Sequence, residues 1–166
     1  MKKLFFLFLV LSMLKVHAQT NFNLQNGTLV DLLIVDEVSS ENENTVSIQV
    51  AHDVISNTGK VLIKGGTPVK FNIERKKRSG VGKPGTIDIT ILSTESADGQ
   101  FIKLNGKHSK VGKSNKGKAL GVGLGVGLGT FLVPMLAYMA KKGEAAVIPP
   151  NTIVSNIPVL GNYEVK

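Results

Sequence analysis

From residue 28 to residue 104 this chain returns again and again to an aliphatic or β-branched residue at every second position. In TLVDLLIVDEV, Val30, Leu32 and Ile34 fall on one face while Asp31 and Glu37 fall on the other. TVSIQV sets Val46, Ile48 and Val50 against Thr45, Ser47 and Gln49, and PVKFNIE repeats the pattern with Val69, Phe71 and Ile73. TIDITI does so with Ile87, Ile89 and Ile91, and QFIKL, residues 100–104, adds a short strand. A period of two belongs to a strand with one buried face; a helix would scatter the same residues around its circumference. Turn residues close the runs at Asn57-Thr58-Gly59, Asp98-Gly99 and Asn105-Gly106. The Asp-Gly and Asn-Gly pairs accept the positive φ angles of a tight hairpin. The pattern predicts an all-β domain, a small antiparallel sandwich or barrel.

A short motif punctuates the strands. Asn26-Gly27-Thr28-Leu29-Val30, Gly65-Gly66-Thr67-Pro68-Val69 and Pro150-Asn151-Thr152-Ile153-Val154 each read Gly or Asn followed by Thr-x-Val. Ile63 and Ile148 stand three residues before Gly66 and Asn151. Gly and Asn accept left-handed backbone angles, so each copy predicts a sharp turn that feeds a strand back over one core. The unequal spacing excludes a solenoid.

The N-terminus reads as a secretory signal peptide. Lys2 and Lys3 make a positive start, residues 4–14 an apolar run, and Val16-His17-Ala18 a cleavage site before Gln19. The run is too short for a membrane-spanning helix. An exported protein of the periplasm or cell envelope is expected. The chain has no cysteine, so neither a disulfide nor a lipid-modified cysteine can hold it.

Removing Lys2, Lys3 and Lys15 leaves 17 of the 20 basic residues against 12 acids. The two signs are segregated. Residues 19–59 hold six acids (Asp31, Asp36, Glu37, Glu41, Glu43 and Asp53) and no Lys or Arg, while residues 60–118 hold fourteen basic residues against four acids. Such asymmetry predicts a surface that faces something anionic. For an exported chain that means a membrane surface or an acidic protein, and no nucleic acid.

Two stretches concentrate the positive charge. Residues 74–85 form a basic, glycine-rich hairpin tip carrying Arg75, Lys76, Lys77, Arg78 and Lys83 between two well-patterned strands. Residues 107–118 place Lys107, Lys110, Lys113 and Lys116 three apart and end at Lys118, with glycine and serine that make a helix poor there. This stretch runs into residues 119–140, 22 positions without a charge, followed by Lys141 and Lys142. Within it, LGVGLGVGLG would set Gly121, Gly125 and Gly129 on one face of a helix and Gly123 and Gly127 on another. Spacing of that kind lets apolar backbones approach closely in a membrane. A helix of this length measures about 33 Å, near the thickness of a bilayer's hydrocarbon core. Five glycines, Pro134 and the return to strand in AAVIPPNTIVSNIPV argue against a plain stop-transfer anchor. Helix or helical hairpin, apolar loop and strand all fit the stretch. The organisation expected is a signal peptide over 1–18, the first part of the β-domain over 19–118, a glycine-rich apolar insertion over 119–142, and strands over 143–166 that complete the β-domain.

Catalytic chemistry is not visible. The mature chain has two histidines, His52 and His108, and the neighbours His52 and Asp53 would point to opposite faces of a strand. No G-x-S-x-G, H-E-x-x-H or P-loop motif occurs, and Asp88 between Ile87 and Ile89 reads as an outward, solvated residue. The expectation is a protein that is not an enzyme and takes neither cofactor nor metal.

NTGKVLIKGGTPVKF (57–71), PGTIDITI (84–91) and DGQFIKL (98–104) follow one another in an order that resembles a set of uncharacterised exported bacterial proteins. The order is also similar to the C-terminal β-domain of TrbI-like type IV secretion channel proteins, and the glycine-alternating run resembles the glycine-zipper segments of envelope proteins. The resemblance covers residues 26–160 in order of elements. The TrbI-like domain carries an apolar helical insertion that reaches the outer membrane; the resemblance implies a β-barrel-like envelope domain and no activity. The function expected is thus that of a non-enzymatic cell-envelope protein, structural or in contact with a membrane or partner. Gly121, Gly123, Gly125, Gly127 and Gly129 would serve membrane contact or self-association. Arg75, Lys76, Lys77, Arg78, Lys107, Lys110, Lys113, Lys116, Lys118, Lys141 and Lys142 would contact an anionic surface. The alternative is a soluble periplasmic binding or scaffold module that captures an acidic partner on the basic hairpin.

Overall fold

Strands with one apolar face must turn those faces toward each other, and a single sheet does so by curling. The computed structural model describes residues 22–115 and 142–166, and every regular element among them is a strand. In chain order these are β1 (Phe22–Leu24), β2 (Leu29–Ile34), β3 (Val38–Ser39), β4 (Ile48–Val50), β5 (Val54–Ile55) and β6 (Val61–Ile63). They continue with β7 (Lys70–Lys76), β8 (Thr86–Glu95), β9 (Phe101–Val111), β10 (Val147–Ile148), β11 (Thr152–Leu160) and β12 (Tyr163–Val165). One antiparallel sheet runs β4-β2-β11-β9-β8-β7, and the short pairs β1-β12, β3-β10 and β5-β6 flank it. The segments expected at 1–18 and 119–142 lie, apart from Lys142, outside the described residues.

The sheet curls into a half-barrel. The chain entering β7 bonds back to β4 at the opposite edge. Gly66 N–H donates to Val50 O at 2.8 Å, Val50 N–H to Thr67 O at 2.9 Å, and Val69 N–H to Ile48 O at 2.9 Å. Inside lie the residues that the alternation singles out: Val30, Leu32 and Ile34 of β2, Ile48 and Val50 of β4, and Ile87, Ile89 and Ile91 of β8. Ile102 and Leu104 of β9 join Val154, Ile157 and Val159 of β11. Each such side chain contributes about 1.5–3 kcal/mol by leaving water, so the core, in a chain without cysteine, rests on these aliphatic rows. Phe71 and Ile73 on β7 are only half-buried, at the rim.

The recurrent motif forms one device three times. Gly27, Gly66 and Asn151 hold φ of 85°, 81° and 59°, and the threonine that follows bonds three residues back. Thr28 N–H and Thr67 N–H donate to Gln25 O and Lys64 O at 3.1 and 3.3 Å. The hydroxyls of Thr28 and Thr152 donate to Gln25 O and Pro149 O at 2.8 and 2.6 Å. Thr-x-Val then resumes the alternation, ending on buried Val30, Val69 and Val154.

One expected turn is not a turn. Asn105-Gly106 lies within β9, which runs on to Val111, and Gly106 pairs with Ile91 of β8. Its glycine serves packing: a Cβ there would stand 2.5 Å from Ile157 Cδ1 of β11. The strand read as QFIKL is therefore the longest in the sheet, and it carries Lys107 and Lys110 on its far half.

Candidate functional site

The far half of the β7-β8-β9 ribbon is where the two basic stretches meet. Register sets Arg75 beside Ile87 and Ile87 beside Lys110, and in the next row Lys76, Thr86 and Val111. Beyond the ribbon's end three segments interlace. Gly112 N–H donates to Gly85 O at 3.0 Å, Asn115 N–H to Gly82 O at 3.2 Å, and Gly143 N–H to Lys83 O at 3.2 Å. Glu144 N–H donates to Lys113 O and Gly85 N–H to Glu144 O, both at 3.0 Å. Finally Asn115 Nδ2 donates to Lys142 O at 3.3 Å. The chain thus leaves the described fold at Asn115 and returns at Lys142 with those two residues in contact, braced by the hairpin tip. Close approach requires glycine here: a Cβ on Gly143 would stand 2.6 Å from the Lys83 carbonyl carbon.

The result is a basic collar. It unites Arg75, Lys76, Lys77 and Arg78 of the hairpin with Lys110 and Lys113 at the end of β9 and Lys142 at the returning root. Val111, 60% exposed, lies in the same rim. Lys107 stands apart. It is three positions from Lys110, so strand alternation puts it on the face opposite to Lys110 and shared with Lys76 and Val111, and Lys107 Nζ lies 3.4 Å from Asp88 Oδ1. Asp88 also accepts the Ser109 hydroxyl at 2.5 Å. That bond, with the Lys107 charge behind it, holds the Asp88 carboxyl below the usual aspartate range. Lys116, Lys118, Lys141 and the five glycines Gly121, Gly123, Gly125, Gly127 and Gly129 lie outside the described residues.

Two groups that sequence spacing does not point to hold the hairpin. Arg78 N–H donates to Glu41 Oε1 at 3.0 Å with the guanidinium 3.6 Å from Oε2, and Arg75 Nη2 donates to Asn44 O at 3.1 Å. The only trace in the sequence is the acidic run at 41–44, whose partners lie more than thirty positions away. Among the described residues no group of His, Cys, Asp or Glu is placed to hold a metal ion. No helix among them is long and apolar enough to cross a membrane.

No family model matches the chain, and no curated protein matches it. Among solved structures it is similar to ComB10 of the Com type IV secretion system of Helicobacter pylori, at 15% identity and a TM-score of 0.46, over 88% of this chain and 98% of that one.

Proposed function

We propose that this is a non-enzymatic, exported cell-envelope protein whose half-barrel rests its basic collar on an anionic membrane surface, at the end where the described residues flank the glycine-rich insertion 119–142. One observation carries the reading: Asn115 and Lys142, the two roots of the apolar segment, touch each other, and both basic stretches gather around them. Charges at a membrane's headgroup level contribute about 1 kcal/mol each near the surface, so a collar of several lysines and arginines favours anionic bilayers over neutral ones. Lys107, paired with Asp88, and Arg78, paired with Glu41, contribute least.

The test is membrane fractionation of the mature protein with an alkaline wash, beside a variant lacking residues 119–140. Retention of the full-length protein and release of a folded deletion variant support the reading. Release of both refutes membrane insertion of the glycine-rich segment, and equal binding to anionic and neutral vesicles refutes the collar. Exchanging Lys110, Lys113 and Lys142 for glutamine should weaken binding to anionic vesicles and leave neutral ones unaffected.

A further inference from the structure

Among the described residues, the seam between the edges of the curled sheet is bonded at one end only. Val69 N–H reaches Ile48 O. Strand alternation directs the backbone groups of Phe71, Ile73 and Arg75 to that same edge, where none of them meets a backbone partner among the described residues. Glu41 and Asn44 reach this edge through side-chain contacts: Arg75 on Asn44 O, and the Glu41 carboxylate on Arg78. Val46, Phe71 and Ile73 are half-buried against the core beside it. Arg75 Nε is buried and has no acceptor among the described residues.

We propose that the β7 edge receives an added strand from an acidic partner, an extended peptide alternating apolar and carboxylate residues. An edge with unpaired amides and carbonyls is a template for such addition. The apolar residues of the peptide would cover Phe71, Ile73 and Val46, and a carboxylate would give Arg75 Nε its missing acceptor. Glu41 already shows that the edge takes an acid, and it is the group an incoming carboxylate displaces from Arg78. Along this edge Lys70, Arg75, Lys76 and Arg78 outnumber Glu74 and Glu41, so charge favours an acidic strand over a basic one. The inference shares Arg75, Lys76 and Arg78 with the collar but not the root of the glycine-rich segment, so membrane retention and peptide binding test the two readings separately.

The test uses the folded mature protein and an acetylated, amidated peptide of about seven residues, an ordinary strand length, alternating valine and glutamate. Two further peptides carry N-methyl groups on alternate residues, each blocking one edge. The expected result is saturable binding that one methylation pattern abolishes and the other spares, with slowed amide exchange at Phe71, Ile73 and Arg75. Arg75→Met should weaken binding about tenfold, the scale of one charge-assisted hydrogen bond, and Glu41→Gln should strengthen it. Absence of saturable binding to folded protein overturns the proposal. So does binding indifferent to which edge is methylated, which is adhesion by charge alone. Protection of the same amides by dimerisation, without peptide, assigns the edge to a second copy and overturns it too. Peptide binding by a protein that does not stay with membranes would refute the membrane reading and leave this one standing.

Discussion

Gly143→Ala tests the close packing at the root of the glycine-rich segment. A Cβ on residue 143 would lie 2.6 Å from the Lys83 carbonyl carbon and oxygen and from Pro84 N, all backbone atoms that no rotamer change can move. Ordinary contact needs the two segments to part by about 0.8 Å, since packed interiors leave no slack for an added methyl. That separation stretches Gly143 N–H to Lys83 O from 3.2 Å and Gly85 N–H to Glu144 O from 3.0 Å beyond bonding range. Two lost hydrogen bonds cost about 1 kcal/mol each, and overpacking adds about 1 kcal/mol or more. The stiffer unfolded chain returns about 0.5 kcal/mol. A net loss of about 2–3 kcal/mol is expected, read as a lower urea midpoint at unchanged slope, with faster amide exchange at Gly85 and Glu144. An unchanged midpoint together with unchanged exchange at those amides would refute the interlaced root.

Ser109→Ala should raise the Asp88 titration, followed by carboxyl-carbon NMR, because the Ser109 hydroxyl is the first cause of its depression. The folded value lies below the unfolded one, so Asp88 stabilises the protein fully above the ordinary aspartate pKa. That contribution is lost as pH falls through the depressed value; an unmoved titration would exclude the Ser109 bond as the cause. Val81, β-branched with φ of 61° at the hairpin tip, holds a conformation that costs about 1 kcal/mol or more. Val81→Asn should therefore stabilise the protein by about 0.5–1 kcal/mol in urea unfolding, and a loss would show that the valine's packing outweighs its strain. Asn151→Ala should cost about 1 kcal/mol while Asn151→Gly stays near neutral, and equal losses would count against its left-handed turn.

Much of the half-barrel can be read from alternation alone, because burial on one face is a local requirement repeated along each strand. Val30, Ile48, Ile89 and Ile102 are all placed inward by parity. The motif turns are legible for the same reason, since a positive φ restricts one residue and its immediate neighbours. Asn105-Gly106 shows the limit. A pair that suits a hairpin lies inside β9 because Ile157, fifty-one positions away, needs the space above Gly106. The two-residue strands β3, β5 and β10 are too short for any period to register. The collar was half legible: composition marks both basic stretches, but only pairing puts Lys110 beside the hairpin and Lys107 on the face opposite to it. Glu41 and Asn44 reach Arg78 and Arg75 across a seam that exists only once the sheet has curled.

The place of β11 governs the order in which this molecule can assemble. It is the long strand nearest the C-terminus, yet it sits in mid-sheet, between β2 and β9. Until residues 152–160 arrive, β2 and β9 present open edges to each other and to any other chain. A ribosome or translocation pore releasing the protein from its N-terminus therefore delivers nearly everything, the glycine-rich segment included, before the half-barrel can close. Pairings this distant in sequence form slowly. The interval before closure is the stage at which the chain is most exposed to aggregation and to proteases, and most in need of a holding chaperone.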